Sequence, residues 1–334
     1  MTSDMLGRDF RSVVPMCDID CEWVRGDSGT QNQGHVLMYH APTGGKRPPN
    51  THAPWQRTGV YSMEGEGNYK ILSDKDFLAA FDVRMTYFLD SEVPMQYYPT
   101  HWPGPDGQTA EEGALNYLAV LQEPPVPVSE KKNAMVWLQR KCASQGGRER
   151  VIRSLMDSGK VQVDSYGSCY NNMGSSARIK DKGPLFSTYK FCFTAENSVT
   201  LDYFTEKTLD GLAAGCLPVT NGPPNLVEDF LPHPKAAIFY NGPEIGGDWQ
   251  KLEALLVRLM GNDEEYEEYM AWKKLSLSEL SPGFQAMVER AKEGEPRCKM
   301  CKWYAETVYP SLTPEQQASA QRVVGEETLQ VKTE

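Results

Sequence analysis

The second half of the chain alternates strand-like with helix-like segments, and this alternation constrains the fold more than any other feature of the sequence. The segments AMVWLQ, KVQVDSYG and TYKFCFTA have the apolar and aromatic character of buried strands. Between the first two lies RERVIRSLMDSG, whose apolar residues recur on one helical face. Strands joined by helices form βαβ units, so the sequence predicts an α/β domain with a mostly parallel sheet.

The first half contains fewer elements and ends in a proline-rich stretch. Strand-like runs occur at HVLMYH, RTGVYSM and VRMTYFL, and a helix-like patch follows them. The stretch EPPVPVSEKK at 123–132 cannot be a helix interior, and we interpret it as an interdomain linker. The predicted domains are therefore 1–130 and 131–334, with a polar tail after Tyr304 that is expected to fray.

The charge balance excludes some classes of partner. With 34 basic and 45 acidic side chains the net charge is −11, which disfavours binding to nucleic acid or to an anionic membrane surface. No apolar run reaches the length of a transmembrane helix, and the N-terminal residues lack a signal-peptide core. The protein is thus expected to be cytosolic, or to be the part of a longer protein that follows a targeting segment.

The segment TEKTLDGLAAGC combines a helix start with two opposite charges. Thr205 is expected to cap the helix, and Glu206 and Lys207 then occupy its first turn. Unpaired N–H groups at this end favour an anion, and Lys207 adds a full positive charge. The pair suits a nucleoside diphosphate, with the lysine on phosphate and the glutamate on ribose. The alternative is that both residues are solvated surface charges.

A second basic element follows a pair of glycines in GGRERVIR. Arg148 lies at a predicted helix start after a predicted strand, where glycines let the backbone approach a phosphate group. The segment is neither a P-loop nor a dinucleotide fingerprint, since neither glycine pattern is present. An arginine at this position is also compatible with a solvated side chain.

The longest motif resembles a known family of glycosyltransferases. The segment YKFCFTAENSVTLDYFTEKTLDGLAAGCLPV is similar to the donor-binding motif of the α-1,3-fucosyltransferases, glycosyltransferase family 10. The resemblance is strong from about Ala134 to Tyr240 and weaker from Arg57 to Pro99. Within the family, GPPNLVEDFLP and RCKMC look closest to the plant-type enzymes that fucosylate the core GlcNAc of N-glycans.

The resemblance implies a fold and a donor. It implies an α/β fold of the GT-B type, with two Rossmann-like domains facing a cleft and GDP-fucose held by the C-terminal one. It assigns the diphosphate to Arg148 and Lys207, and the ribose hydroxyls to Glu206. Asn197 and Tyr203 would line the phosphate and the sugar. The family has a Phe where this chain has Ala195, which is expected to reshape the wall of the nucleotide pocket.

A general base is expected in the N-terminal half. An inverting transfer needs a positioned carboxylate or histidine to take the proton of the attacking hydroxyl. The family carries its base in a short segment that matches Glu64 in VYSMEGEGNYK, and Glu66 is the alternative two residues later. His101 is a further candidate, and with Trp102 it could instead contact the acceptor sugar by stacking. The N-terminal domain is therefore expected to carry the acceptor side.

No metal or other cofactor is expected. The Asp-x-Asp triplet near the N-terminus, Asp18 to Asp20, lies in a predicted loop flanked by cysteines rather than after a strand. Arg148 and Lys207 can instead neutralise the leaving diphosphate. The sequence therefore predicts a metal-independent enzyme.

The eight cysteines suggest an oxidising compartment. Cys298 and Cys301 form a C-x-x-C pair that could be a zinc half-site, but no second pair of suitable spacing completes it. We therefore predict a disulfide between these two residues. A second disulfide is predicted between Cys142 and Cys169, whereas Cys192 and Cys216 lie in apolar runs that suit simple buried thiols.

The sequence thus predicts an enzyme that moves L-fucose from GDP-fucose in α-1,3 linkage to a GlcNAc of a glycoprotein N-glycan. The compartment expected for this function is the Golgi lumen, with any membrane anchor lying outside this sequence. One alternative is a GT-B glycosyltransferase with another donor or acceptor, such as an antennal GlcNAc or a peptide-linked sugar. Another is a non-catalytic protein that binds glycans.

Overall fold

A computed structural model describes residues 11–14, 16–24, 34–44, 53–99, 108–174, 179 and 181–323 of the 334-residue chain. Its strands are β1 Arg11–Val13, β2 Glu22–Val24, β3 Val36–His40, β4 Arg57–Ser62, β5 Val83–Thr86, β6 Lys132–Leu138, β7 Val163–Tyr166, β8 Tyr189–Phe193, β9 Leu217–Thr220 and β10 Ile238–Phe239.

The helices are α1 Ala41–Gly44, α2 Lys75–Leu78, α3 Ala110–Leu121, α4 Arg148–Ser158, α5 Gly183–Phe186, α6 Glu206–Ala214, α7 Leu226–Asp229, α8 Trp249–Met260, α9 Asp263–Glu268, α10 Pro282–Lys292, α11 Pro296–Trp303 and α12 Pro314–Val323. Turns of 3₁₀-helix cover Lys70–Ser73, Val128–Glu130, Ala271–Lys274, Leu277–Glu279 and Tyr309–Ser311, and a π-helical turn covers Tyr304–Val308. In the described ranges no helix has both the length and the apolar character needed to cross a membrane.

The chain forms two compact units. Unit 1 contains the described residues up to 95, residues 108–113 and residues 291–323. Unit 2 contains residues 96–99 and the described residues between 114 and 290. This division differs from the predicted boundary after residue 130, because the C-terminal helices belong to unit 1.

Unit 2 is built on a five-stranded parallel sheet in the order β10-β9-β8-β6-β7. The strand that comes first along the chain, β6, lies between the second and third strands, β7 and β8. From β6 the chain therefore runs to β7 on one side, and it then returns to the other side of β6 to form β8. This reversal creates a topological switch point between β6 and β8. In open parallel sheets, ligands bind outside the carboxyl ends of the strands at such a point.

The two faces of this sheet are both covered, as its uninterrupted apolar strands require. Met135 and Trp137 of β6 point into a large core formed with α4, α8 and α9. Ala134 and Val136 point into a smaller core on the other face, where Phe186 of α5 lies. The doubly covered parallel sheet confirms the α/β prediction for the second half of the chain.

The segment predicted as a linker is part of unit 2. A Cβ on Gly215 would lie 2.7 Å from the Cβ of Pro125, so the proline-rich stretch packs directly against the end of α6. Lys131 Nζ donates to the Ser187 carbonyl oxygen at 2.7 Å, and Gln122 Nε2 donates to the Leu275 carbonyl oxygen at 2.6 Å. The proline-rich composition prevents a helix, but the side chains on both flanks hold the segment against the unit.

Unit 1 contains a smaller parallel sheet in the order β3-β4-β5 and an antiparallel pair, β1 and β2. Val83 and Met85 of β5 pack with Met300 of α11 in one apolar cluster. Tyr304 and Ala320 belong to a second cluster of the same unit. The tail predicted to fray after Tyr304 is therefore packed as far as Ala320 in α12, because apolar residues of this segment lie in the buried cluster.

All eight cysteines form disulfides. Cys142 is bonded to Cys169, which confirms that prediction. The predicted bond between Cys298 and Cys301 is wrong, since Cys17 pairs with Cys298 and Cys21 pairs with Cys301. Cys298 and Cys301 lie one turn apart on α11, and Cys17 and Cys21 offer two sulfurs with a matching separation. Each of these two disulfides therefore joins the segment that contains Cys17 and Cys21 to α11, instead of linking two cysteines of the same segment.

The prediction of buried thiols at Cys192 and Cys216 is also wrong, because these two cysteines are bonded to each other. Cys192 lies in β8, and Cys216 follows the helix that connects β8 to β9. Both side chains are buried in the same apolar cluster. Their burial was predicted correctly, but the crossover that brings them into contact cannot be derived from an apolar run alone.

Candidate functional site

A cavity of about 150 Å³ opens at the switch point of unit 2. It is lined by Trp137, Leu138, Gln139, Arg148, Lys182, Phe186, Phe193, Thr194, Ala195, Glu206 and Lys207. The lining comes from the carboxyl ends of β6 and β8, from the first turns of α4 and α6, and from α5 with the residue before it. Three of its side chains are cationic and one is anionic, so the cavity is suited to an anion.

The first turn of α6 is held by a buried glutamate. The Glu196 side chain is fully buried, and its Oε1 accepts hydrogen bonds from Thr205 N at 2.9 Å and Thr205 Oγ1 at 2.7 Å. Thr205 is the N-cap of α6, as the sequence predicted. Lys207 Nζ lies 3.1 Å from Glu196 Oε2. The glutamate thus fixes both the start of the helix and the position of its lysine.

The charges around Lys207 favour its ionised form. Burial acts to lower the pKa of Lys207, but the carboxylates of Glu196 and Glu206 raise it above its usual value. Burial acts to raise the pKa of Glu206, but Lys207 and Lys182 hold it below its usual value. For Glu196, burial is the larger effect, and its pKa is raised despite Lys207. Lys207 and Glu206 are therefore both charged at neutral pH.

Arg148 is placed by a two-glycine turn. Gly147 has φ of 63° and a Cβ on Gly146 would lie 2.9 Å from Asn221 Nδ2, so neither position accommodates a larger residue without strain. The Arg148 side chain is buried, and its Nη1 donates to the Ala195 carbonyl oxygen at 2.6 Å. This carbonyl and Glu149 Oε1, which lies 3.4 Å from Arg148 Nε, fix the guanidinium in the cavity wall, where the N–H groups of Nη2 can meet an anion.

The sequence reasoning missed two residues that organise this site. Glu196 lies within the family-like motif, and the sequence pattern assigned it no role. Asn221 lies after β9, and its Oδ1 accepts a hydrogen bond from Glu196 N at 2.6 Å. Its Nδ2 donates to the Glu196 carbonyl oxygen at 3.0 Å. The available signal was positional, because a polar residue directly after a buried parallel strand lies at the ligand-binding edge of the sheet.

The predicted donor residues are not all in the cavity wall. Arg148, Glu206 and Lys207 line it. Asn197 and Tyr203 lie in the loop between β8 and α6 but are not among the lining residues. Asn197 Oδ1 is buried without a hydrogen-bond partner in the described part of the chain. Tyr203 is buried as well, with 2% of its surface exposed. Ala195 does line the cavity.

A further ion pair borders the cavity and was not predicted. Lys182, in the lining just before α5, forms a salt bridge with Asp210 of α6. About a third of each side chain is exposed, 33% and 32% respectively. Burial raises the pKa of Asp210 although Lys182 opposes the change. Asp210 lies four residues after Glu206, so both face the same side of α6.

In unit 1, Glu64 lies two residues beyond the carboxyl end of β4. Its backbone N–H donates to Ser62 Oγ at 3.0 Å, and no hydrogen bond to its carboxylate is found among the described residues. The carboxylate of Glu66, by contrast, accepts a hydrogen bond from Ser73 Oγ at 3.0 Å. Burial lowers the pKa of His40, at the end of the neighbouring strand, and Glu64 opposes this change. Glu64 is therefore the less restrained of the two carboxylates.

The remaining predicted residues carry less information. His101 and Trp102 lie outside the described residues. Asp18 is exposed and pairs with Lys302 Nζ at 2.7 Å. Where the chain is described, the single metal-like cluster joins Asp18 to Cys17 and Cys298, whose sulfurs are bonded to each other. This cluster therefore lacks the thiolates that a metal ion would need.

Comparison with known proteins identifies the unit that carries the cavity. The model of the glycosyltransferase family 10 (fucosyltransferase) C-terminal domain matches residues 128–316. A putative fucosyltransferase-like protein of Arabidopsis thaliana is 27% identical over 300 residues, which are 87% of this chain and 49% of the relative.

Two further relatives have different names. GDP-fucose protein O-fucosyltransferase 3 of Danio rerio is 32% identical over 218 residues, 62% of this chain and 44% of the relative. Alpha-(1,3)-fucosyltransferase B of Drosophila melanogaster is 28% identical over 243 residues, 68% of this chain and 50% of the relative. The chain thus spans about half the length of the curated relatives it matches.

A solved structure supports the fold class. The crystal structure of an alpha1,3-fucosyltransferase with GDP-fucose superimposes with a TM-score of 0.54 at 16% identity. The match covers 82% of this chain and 77% of the solved chain. At this identity the likeness concerns the fold alone, and it confirms the predicted α/β, GT-B fold class.

Proposed function

Because the chain belongs to glycosyltransferase family 10, we propose that it transfers L-fucose from GDP-fucose to a sugar hydroxyl. The observation that carries this proposal is the cavity at the switch point of unit 2. There Lys207 is oriented by the buried Glu196, and Arg148 is oriented by a backbone carbonyl. Two restrained cations at the N-termini of two helices suit the diphosphate of a nucleotide sugar.

Each of the three charged groups has a separate task in this proposal. Lys207 and Arg148 bind the diphosphate and stabilise the negative charge that develops on it as GDP leaves. Glu206 accepts hydrogen bonds from the ribose hydroxyls. Since Lys207 and Lys182 keep the pKa of Glu206 low, its carboxylate stays ionised and remains an acceptor.

The transfer is a single displacement with inversion. The oxygen of the acceptor hydroxyl forms a bond to the anomeric carbon of fucose, and the bond from this carbon to the GDP oxygen breaks. Glu64 takes the proton of the hydroxyl as general base. Its carboxylate suits this task, because no hydrogen bond within the described chain occupies it.

We propose that the reaction needs no metal ion, since the cations of the cavity supply the charge that a metal would provide. Treatment with EDTA should therefore leave most of the transfer activity intact. Activity that is lost with the chelator and restored by manganese would contradict this, and would make Asp18 and Asp20 the candidate metal ligands.

The proposed acceptor is a GlcNAc of a glycoprotein N-glycan, in α-1,3 linkage, and the core GlcNAc is the first candidate. The resemblance of GPPNLVEDFLP and RCKMC to plant-type core enzymes supports this choice, and so does the relative named alpha-(1,3)-fucosyltransferase B. A second candidate is the hydroxyl of a serine or threonine on a protein. The relatives named GDP-fucose protein O-fucosyltransferase 3 favour it.

The proposed compartment is the Golgi lumen. The four disulfides leave no free cysteine, as is common in oxidising compartments. Oxidised and reduced protein should accordingly differ in stability.

One assay separates the candidate functions. GDP release from GDP-fucose is measured with a trimmed N-glycan, with a folded protein domain that exposes serine and threonine hydroxyls, and without an acceptor. Release that depends on the glycan, with fucose found on GlcNAc, supports the first candidate. Release that depends on the protein domain supports the second. Tight GDP binding without transfer to either acceptor would instead favour a non-catalytic protein that binds glycans.

A further inference from the structure

Lys182 lines the cavity and forms an ion pair with Asp210, and neither residue has been assigned a contact with the nucleotide above. We propose that this pair recognises the base of the nucleotide, by contacting the Watson–Crick edge of guanine. The inference rests on the proposed function, since it assumes that the cavity binds a nucleoside diphosphate. It adds the part of the site that selects guanine over other bases.

The position of the pair follows from the geometry of α6. Lys207 and Glu206 occupy the first turn of the helix, and Asp210 lies on the next turn, on the same side as Glu206. One turn of helix rises about 5.4 Å. In a nucleotide the ribose lies between the phosphates and the base. A nucleotide with its phosphates at Lys207 and its ribose at Glu206 thus extends along the helix toward Asp210.

The chemistry of the pair matches guanine. The guanine edge presents one acceptor, O6, beside two donors, N1–H and the 2-amino group. Lys182 can only donate and the Asp210 carboxylate can only accept, so together they offer the complementary pattern. Adenine presents an amino donor where guanine has O6 and an acceptor at N1, which would place donor against donor and acceptor against acceptor. A lysine–aspartate pair therefore discriminates between the two purines.

The surroundings suit a purine ring. Phe186 follows Lys182 by one helical turn and lines the cavity together with Leu138, so an apolar wall lies next to the charged edge. The pair is partly exposed, and an ion pair in that setting contributes little stability. Lys182 and Asp210 can therefore give up part of their contact with each other and form hydrogen bonds to the base instead, with little loss of stability.

The test compares three diphosphates that differ only in the base. Dissociation constants for GDP, inosine diphosphate and ADP are measured by calorimetry for the wild type, Asp210→Asn and Lys182→Met. Inosine diphosphate lacks the 2-amino group. Lys235→Met is the matched control, because Lys235 forms a partly exposed ion pair with Glu268 away from the cavity. Thermal unfolding of each variant verifies that it is folded.

The expected result is specific to the base. In the wild type, GDP binds at least about tenfold more tightly than inosine diphosphate and more tightly still than ADP. Asp210→Asn should weaken GDP at least about tenfold and remove most of the preference over inosine diphosphate. Lys182→Met should narrow the preference for GDP over ADP, and Lys235→Met should change none of the three.

Three outcomes would overturn the inference. Equal weakening of all three diphosphates would mean that the pair contacts the phosphates. Unchanged constants in both variants would mean that the pair is a surface ion pair. A wild type that does not bind GDP would remove the proposed function and this inference with it, whereas the first two outcomes leave the proposed function standing. If one variant fails to fold, the other still tests the contact that its own residue makes with the guanine edge.

Discussion

Both units present polar residues at the carboxyl edge of a parallel sheet, but the two edges are organised differently. At the edge of unit 2, the buried Glu196 is bound by Thr205 and Asn221 and orients Lys207 in turn. At the edge of unit 1, Glu64 is half-buried, and its only hydrogen bonds in the described structure involve its backbone and Ser62. One edge is a network of fixed charges, and the other carries a sparsely bonded carboxylate.

The difference indicates how tasks are divided between the units. Binding a diphosphate favours cations that are fixed before the ligand arrives, because little ordering is then needed on binding. A general base instead needs a carboxylate that is not engaged by other donors, so that it can accept a proton. We therefore expect changes at the edge of unit 2 to alter nucleotide affinity, and changes at the edge of unit 1 to alter the rate of transfer.

The largest expected effect concerns Glu64. Glu64→Gln keeps the shape of the side chain and removes the proton acceptor, so transfer should fall by roughly 10²–10⁴-fold, the usual contribution of a general base. The dissociation constant of GDP should stay near the wild-type value, since Glu64 belongs to the other edge. Single-turnover rates and calorimetry measure the two quantities separately.

Glu66→Gln is the matched control, because the Glu66 carboxylate already accepts a hydrogen bond from Ser73. It should reduce transfer much less than Glu64→Gln. The opposite ranking would assign the base to Glu66. Two active variants would place the base elsewhere, and His101 would be the next residue to replace.

The second prediction compares the disulfides of the two units. The bond between Cys17 and Cys298 in unit 1 spans 281 residues, whereas that between Cys142 and Cys169 in unit 2 spans 27. In the chain-entropy model the longer loop stabilises more, by up to about 2 kcal/mol. Because the bond between Cys21 and Cys301 closes nearly the same loop, both bonds of unit 1 have to be removed together. Replacing these four cysteines by serine should therefore destabilise unit 1 more than replacing Cys142 and Cys169 destabilises unit 2.

Hydrogen exchange of peptides from each unit measures these losses in separate parts of the chain. Peptide mapping of the unreduced protein is the accompanying control, and it should recover Cys17 linked to Cys298 and Cys21 linked to Cys301. A fragment with Cys298 linked to Cys301 would contradict the pairing. An equal loss in the two units would mean that loop length does not govern the effect.

The third prediction tests the fixed charges of unit 2. Lys207→Ala removes a charge-assisted contact to phosphate of about 1.5–3 kcal/mol, so the dissociation constant of GDP should rise at least tenfold. Glu206→Ala should weaken GDP less, through lost hydrogen bonds to ribose. Lys235→Ala, at an exposed ion pair, is the control and should leave the constant unchanged. Unchanged affinity in both cavity variants would mean that Glu206 and Lys207 are solvated surface charges.

The sequence predicted the local elements of unit 2 well. The alternation of strands and helices, the Thr205 cap and the two-glycine turn before Arg148 all follow from short-range patterns. These features depend on residues within a few positions of one another, so propensity and spacing are sufficient to find them. The helix start at Glu206 and the placement of Lys207 in the cavity followed from the same patterns.

Features that depend on long-range contacts were missed or were wrong. The pairing of Cys17 with Cys298 joins the two ends of unit 1, and no local spacing encodes it. The extent of unit 1 was missed for the same reason. Glu196 was overlooked because its position depends on the hydrogen bonds that its backbone makes with Asn221, which follows β9. Lys182 and Asp210 likewise come from separate elements, so their pairing became visible only in the folded chain.

The smallest expected effect concerns a buried lysine on the scaffold side of unit 2. Lys273 is buried, and its Nζ donates to the carbonyl oxygens of Leu212 in α6, at 2.8 Å, and of Leu121 in α3. Burial lowers the pKa of Lys273 to about 8, and the nearby Lys131 adds to this effect. The lysine therefore helps to hold the far end of the helix whose first turn carries Lys207.

The sign of the pH dependence follows from this lowered pKa. Between about pH 8 and pH 10 the unfolded chain keeps the proton on Lys273 while the folded chain releases it, so the unfolding free energy rises with pH. Lys273→Met keeps the aliphatic stem and removes the titrating group. Relative to this variant, the wild type should gain roughly 1–2 kcal/mol over that range, measured by hydrogen exchange of unit 2 peptides. A constant difference between the two proteins would mean that Lys273 keeps an ordinary pKa in the fold.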